Sequence, residues 1–212
     1  MPTGKFITFE GGEGAGKSTQ IQLLAAHLTA QNLAVTKTRE PGGSSGAECI
    51  RGLLVEGDAD QWEPFTETLL HYAARCEHLY RTIRPALDRG DYVLYDRFAD
   101  STAAYQGHGQ GVPAARIKAL HELVVDGLEP DLTLILDLPV EEGLHRAEAR
   151  GENGMRYERM GLAFHNRLRE AFLSIAKANA ARCVVIDASG TQDEVATAIR
   201  KAVTERFPEV AG

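Results

Sequence analysis

The stretch Gly11-Gly12-Glu13-Gly14-Ala15-Gly16-Lys17-Ser18 fits the pattern GxxxxGK[ST], and it lies between a short apolar run ending at Glu10 and a helical pattern opening near Ser18. A strand, a glycine-rich turn and a helix in that order constrain the fold more than any other feature of the chain. The glycines let successive backbone N–H groups turn inward, and the helix N-terminus adds a partial positive charge, so the turn becomes a cradle for phosphate. Within it Lys17 is expected to reach the outer phosphates of ATP and Ser18 to give its hydroxyl to Mg²⁺. Gly11, Gly12, Glu13, Gly14, Ala15, Gly16 and Thr19 complete the expected ATP-binding segment.

Four more short apolar runs follow, at Val35 to Thr38, Tyr92 to Tyr95, Leu132 to Asp137 and Cys183 to Asp187, after the first at Phe6 to Glu10. Helical patterns separate them, the clearest being Ser18 to Gln31, Phe65 to Tyr80, Pro113 to Val125, Val140 to Arg150, Gly161 to Asn179 and Gln192 to Phe207. Strands that alternate with long helices, without two-residue hairpin turns, pair in parallel through right-handed crossovers. The expected fold is α/β, an open parallel sheet with helices on both faces and ligands at the carboxyl ends of the strands.

Length and charge narrow the function classes. At 212 residues, with no repeat and no Pro/Ser-rich linker, the sequence suits a single domain with an insertion. A net charge of −7 argues against a general nucleic-acid binder, so any anion site must come from local positive groups. The apolar runs are of strand length, as in Leu132 to Leu136, too short for a membrane span. Cys49, Cys76 and Cys183 are odd in number, widely spaced and outside any zinc pattern, which fits a reducing compartment. The first residues lack the charged and long apolar regions of a secretory signal, so a cytoplasmic setting is expected.

The second acidic strand distinguishes among enzymes that share the phosphate cradle. No Asn begins an NKxD guanine reader, and the strand Tyr92 to Tyr95 ends in Asp96-Arg97 and not in the Asp-Glu usual for motor ATPases. Asp96 can hold Mg²⁺ or Lys17, while a guanidinium bridges two phosphates. The pair points to phosphoryl transfer between two bound anions. Such a reaction needs no strong base when the acceptor is itself a phosphate, and no Ser-His-Asp, Cys-His or HExxH arrangement is visible.

Segments along nearly the whole chain resemble the bacterial thymidylate kinases: "FITFEGGEGAGKST", "TREPGGSSGAECIRGLL", "LLHYAARCEHL", "IRPAL", "VLYDRFADSTAAYQG", "PDLTLILDLPVE" and an Arg-rich segment near residue 150. The resemblance implies transfer of a phosphoryl group from ATP to dTMP, a five-stranded P-loop kinase core, a mobile lid, Mg²⁺ and a homodimer. It also implies roles. Glu13 would meet the 3′-hydroxyl of dTMP or a water on Mg²⁺. Arg39 would wall the acceptor site, and Arg51 and Arg97 would hold the dTMP phosphate. Tyr72 would stack on the base that Arg75 reads, while Ser101, Thr102, Tyr105 and Gln106 would meet thymine and deoxyribose, with Tyr105 crowding the 2′ position. Lys17, Arg97, Glu13 and Arg150 form the implied catalytic set.

The lid is expected at about 146–160. Residues 146–169 hold six Arg against three Glu in an acidic chain, and Arg146 and Arg150, four apart, share one helical face that could clamp ATP. Ala15 stands where one subgroup of the family carries an arginine, so this sequence resembles the subgroup that supplies it from the lid. Met155 replaces the Asp common in the family's lid motif. Two other readings stay open at this stage. One is a deoxynucleoside kinase, whose hydroxyl acceptor would require Glu10 or Glu13 as a base; the other is a nucleotide-driven regulator or assembly ATPase.

Overall fold

The computed structural model describes residues 4–58, 60–149, 157 and 160–210. Its five strands are β1 (Lys5–Glu10), β2 (Val35–Arg39), β3 (Tyr92–Asp96), β4 (Leu132–Asp137) and β5 (Cys183–Asp187), in the order β2-β3-β1-β4-β5 with every pairing parallel. The register sets Phe9 and Arg39 on either side of Asp96, and Glu10 beside Ile135. The strand ends that carry chemistry therefore lie together along one edge.

Side chains alternate across the three central strands and both faces are covered. On one face Ile7, Phe9, Leu94, Leu134 and Leu136 pack against Ile21, Leu24 and Leu28 of α1 (Lys17–Ala30) and Val195, Ile199 and Val203 of α9 (Gln192–Arg206). On the other, Phe6, Val93 and Tyr95 meet Leu79, Ile83 and Phe98, and Ile135 meets Tyr105, Phe164, Leu168 and Phe172. The start of α9 is fixed by a capping box in which Thr191 and Glu194 satisfy each other's backbone N–H groups.

The remaining helices are α2 (Ser45–Val55), α3 (Pro64–His78), α4 (Arg84–Asp88), α5 (Ala99–Thr102), α6 (Ala114–Val125), α7 (Val140–Ala149) and α8 (Leu162–Ala178). Two of the connections are π-helical, Leu79–Ile83 between α3 and α4 and Ala103–Gly109 after α5. Such wide turns are rare and concentrate near functional sites, and here Tyr105 and Gln106 sit in the second of them. The described ends of the expected elements differ by only a residue or two, except that the helix expected to stop at Tyr80 continues to Asp88.

Candidate active site

The phosphate loop joins β1 to α1, and its conformation depends on glycine at defined points. Gly14 and Gly16 have φ of +70° and +86°, values that L side chains rarely adopt. Lys17 is 7% exposed, and its Nζ donates to the carbonyls of Gly11 and Gly12 at 3.1 and 2.8 Å. Burial and the nearby Arg97 lower its pKa to about 8, against the pull of Asp96 and Glu13. Ser18 Oγ donates to Asp96 Oδ2 at 2.8 Å, so the hydroxyl and the carboxylate that a divalent cation would require stand side by side.

A cavity of about 390 Å³ opens beside this loop and gathers most of the expected site. Its lining includes Glu13, Gly14, Ala15, Gly16, Lys17, Ser18, Thr19, Arg39, Arg51, Arg75, Asp96, Arg97, Ser101, Thr102, Tyr105 and Gln106. Gly11 and Gly12 line a separate small cavity together with Leu136 and Leu138. Arg97 adopts φ +68° and donates to Gly11 O at 3.0 Å and to Glu13 Oε1 at 3.0 Å, with its guanidinium 5.0 Å from the centre of the Tyr105 ring. Tyr105 donates its hydroxyl to the same Glu13 oxygen at 2.6 Å. Burial works against the Glu13 anion, but Arg97, Lys17 and the Tyr105 hydroxyl overcome it and hold the pKa at about 2.

Two arginines stand on the outer wall. Arg39 pairs with Glu48 at 3.1 Å, and Arg51 donates to the carbonyl of Pro41 at 2.7 Å. The fourth arginine of the cavity, Arg75, is 1% exposed and bonds Glu40 three times, at 2.6 to 3.1 Å, and Thr102 at 3.0 Å. Burial opposes its charge, yet Glu40 outweighs that penalty and raises its pKa above the ordinary arginine value. Its Nη1 is buried without a hydrogen-bond partner among the described residues. A donor left in this state inside a cavity is poised for a ligand acceptor.

Tyr72 stands elsewhere than the resemblance implies. It lies beneath Arg75, with the guanidinium 4.6 Å from the centre of its ring, and donates its hydroxyl to Ile117 O at 3.3 Å. It lines a separate cavity with Val112 and Ile117 and not the one holding the phosphate loop. His71, one residue earlier, lines the phosphate-loop cavity in its stead, with Nε2 3.0 Å from the hydroxyl of Tyr157. The sequence did hold a signal: His71 and Arg75 are i,i+4 and share a face more closely than Tyr72 and Arg75. Glu40, Phe98 and Tyr157 also line the cavity and were not anticipated.

Arg146 pairs with Glu142 at 2.5 Å and donates to Ala188 O at 3.2 Å, and it is not among the residues that line the cavity. Arg150 and Met155 lie outside the described residues. Glu10 is fully buried and accepts from Phe98 N, Ser101 N and Ser101 Oγ at 2.7, 3.3 and 2.5 Å, behind the cavity.

Comparison with known proteins gives concordant matches. The family model described as "Thymidylate kinase" matches residues 9–199. The chain is 60% identical over 207 residues to a thymidylate kinase of Caulobacter vibrioides, covering 98% of this chain and 99% of the relative. It is 51% identical to a thymidylate kinase of Afipia carboxidovorans, covering 96% and 90% of the two chains. The crystal structure of a thymidylate kinase from Ehrlichia chaffeensis superposes with a TM-score of 0.77 at 36% identity, covering 95% of this chain and all of that one.

Proposed function

This chain belongs to the thymidylate kinase family, and on that premise we infer that it transfers the γ-phosphoryl group of ATP to dTMP, giving ADP and dTDP. One observation supports the residue roles above all: a single cavity joins the phosphate loop and Lys17 to Arg39, Arg51, Arg75 and Arg97. An oxygen of the dTMP phosphate attacks the γ-phosphorus, a new P–O bond forms and the bond to ADP breaks. Since the second pKa of a phosphate monoester is about 6, the acceptor is already largely dianionic at neutral pH and needs no base. The protein's task is to hold two repelling anions in line and to offset the charge that develops between them.

The loop amides, Lys17 and Thr19 bind the ATP phosphates, Lys17 exchanging the Gly11 and Gly12 carbonyls for phosphate oxygens. Arg97, Arg51 and Arg39 hold the acceptor phosphate, with Arg97 kept in place by Glu13. Arg75 reads a base carbonyl through its free Nη1, His71 flanks the base, and Ser101, Thr102 and Gln106 contact the nucleoside. Tyr105, anchored on Glu13, limits the space at the sugar's 2′ position. Ser18 and Asp96 fit Mg²⁺, which when bound offsets phosphate charge. Arg146 and Arg150 act from a lid at about 146–160 once Arg146 leaves Glu142.

The deoxynucleoside kinase reading loses its base. Glu10 is occupied behind the cavity, and Glu13, at about 2, does not take up a proton near neutral pH. The test is to supply Mg-ATP with dTMP, dUMP, thymidine or AMP and follow ADP release. Turnover with dTMP is expected; turnover with thymidine but not dTMP would overturn the assignment.

We further propose a single-domain, cytoplasmic homodimer. Leu53 of α2, Leu69 of α3 and Leu123 of α6 are 47%, 44% and 79% exposed on helices where α3 packs against both others. Exposed leucines on three adjoining helices suit a self-complementary interface. Light scattering at twice the chain mass would support it. Among the described residues no helix is long and apolar enough to cross a membrane.

A further inference from the structure

We propose that Glu10 is a positioning residue for Arg97: from behind the cavity, its carboxylate fixes the turn Arg97 to Ser101 in the shape that aims the Arg97 guanidinium at the acceptor phosphate. This rests on the reading of Arg97 as a phosphate-holding group.

Arg97 needs such a support. Its φ of +68° is a region where a side-chain-bearing residue persists only when its surroundings impose it. Before the turn, Arg97 N donates to Phe9 O at 2.9 Å. After it, the Phe98 and Ser101 amides and the Ser101 hydroxyl all converge on Glu10 at 2.7, 3.3 and 2.5 Å. Three donors directed into one fully buried carboxylate leave the backbone little freedom on that side.

The Ser101 hydroxyl extends the effect to the guanidinium itself. Its single proton goes to Glu10 Oε2, so the oxygen presents a lone pair to Arg97 Nη1, 3.3 Å away. A neutral Gln at position 10 offers one accepting oxygen and one NH₂ group, so it cannot satisfy the same three donors. The hydroxyl would then be free to turn, and Arg97 would lose an acceptor on the side away from Glu13.

The surroundings make the carboxylate sensitive to pH. Burial and Asp100 push its pKa up to about 7, against Ser101, Phe98 and Arg97. The other groups that face it electrostatically are Lys17, Tyr95, Tyr105 and Cys183. Asp100 is itself held by two bonds from Arg182, at 2.7 and 2.8 Å.

The experiment measures steady-state kinetics of Glu10→Gln, Glu10→Asp and Arg97→Lys against pH. For Glu10→Gln the KM for dTMP should rise about 10-fold while the KM for ATP changes less than about 2-fold. The acid limb of kcat/KM for dTMP should lie near 7 in the parent chain and retreat in that variant to the limb of the dTMP phosphate at about 6. Glu10→Asp keeps a carboxylate and should recover most of the affinity and the original limb. An unchanged KM for dTMP together with an unchanged acid limb in Glu10→Gln would overturn the proposal. Should Glu10→Gln not fold, Ser101→Ala interrupts the same chain, and an unchanged KM for dTMP there is equally decisive against it. If Arg97→Lys leaves the KM for dTMP unaltered, the reading of Arg97 is what fails.

Discussion

Gly14 of the phosphate loop and Gly143 of α7 approach so closely that neither has room for a side chain: a Cβ on Gly14 would overlap the carbonyl oxygen of Gly143, and one on Gly143 would overlap that of Glu13. The loop is therefore braced against α7. Gly143→Ala should push the loop amides out of line and raise the KM for ATP about 10-fold, a displacement near 1 Å being enough for large losses. An alanine in a helix interior would otherwise gain up to about 1 kcal/mol over glycine. A higher Tm with an unchanged KM for ATP would show that α7 shifts to accommodate the methyl group without disturbing the loop.

His71 and Tyr72 are neighbours in sequence with opposite destinations, and their substitutions should separate accordingly. His71→Ala removes part of the wall of the phosphate-loop cavity and should raise the KM for dTMP several-fold with little effect on Tm. Tyr72→Phe deletes one hydrogen bond to Ile117 O and should cost about 1 kcal/mol of stability with the KM unchanged. Reversed outcomes in the two variants would restore Tyr72 as the residue that meets the base.

That pair also shows where sequence reading stops. The described strand segments, the parallel pairing and the cradle were legible because short continuous apolar runs and a glycine-rich turn are local patterns. Which helical face meets a ligand is not local: a one-residue step turns a side chain by about 100°, and only the packing of Tyr72 on Val112 and Ile117 decides between the faces. Helix α2 went unread because its approach, Pro41-Gly42-Gly43-Ser44, reads as loop and its interior contains Gly52. The strand order and the role of Gly143 depend on contacts between segments far apart in the chain, which no local pattern encodes.

Arg75 and Glu40 form an ion pair of which 1% and 4% of the side chains are exposed, so removing one partner leaves the other buried without its counter-charge. Arg75→Met should lower stability by about 3–5 kcal/mol, and adding Glu40→Met should restore part of it. Both variants should lose the preference for dTMP, because the free Nη1 is gone in each. A double variant no more stable than the single would mean that Glu40 remains satisfied by Tyr95, which donates to it at 2.6 Å.

Lys17→Ala should reduce kcat by about 10²-fold or more, since the role proposed for Lys17 is to offset charge on the transferring phosphoryl group. The structural effect should be small, because the Lys17 bonds to Gly11 O and Gly12 O join a flexible side chain to a loop already braced against Gly143. Single-turnover measurement with both substrates saturating isolates the chemical step. Near-normal kcat would detach Lys17 from the reaction.

The final prediction concerns stability against pH and rests on two buried groups that titrate in opposite directions. His78 is fully buried in a chain of hydrogen bonds. Tyr95 gives its only proton to Glu40, so His78 Nδ1–H must donate to Tyr95, at 2.7 Å, and Nε2 accepts from Thr38, also at 2.7 Å. Burial chiefly, with Arg75 and Arg39 nearby, lowers its pKa from 6.5 to about 4. As the pH falls through that window the unfolded chain takes up a proton that the folded chain refuses, and stability is lost. Glu10 does the reverse: with its pKa raised from 4.5 to about 7, the folded chain takes up a proton first, and stability is gained as the pH falls from 7 to 4.5. Each displacement amounts to about 3 kcal/mol, so the two nearly cancel between pH 6.5 and 4.5. His78→Gln should therefore become more stable on acidification across this range, and Glu10→Gln less stable, as read from urea midpoints. Parallel curves for the parent and both variants would mean that neither group titrates as its burial implies.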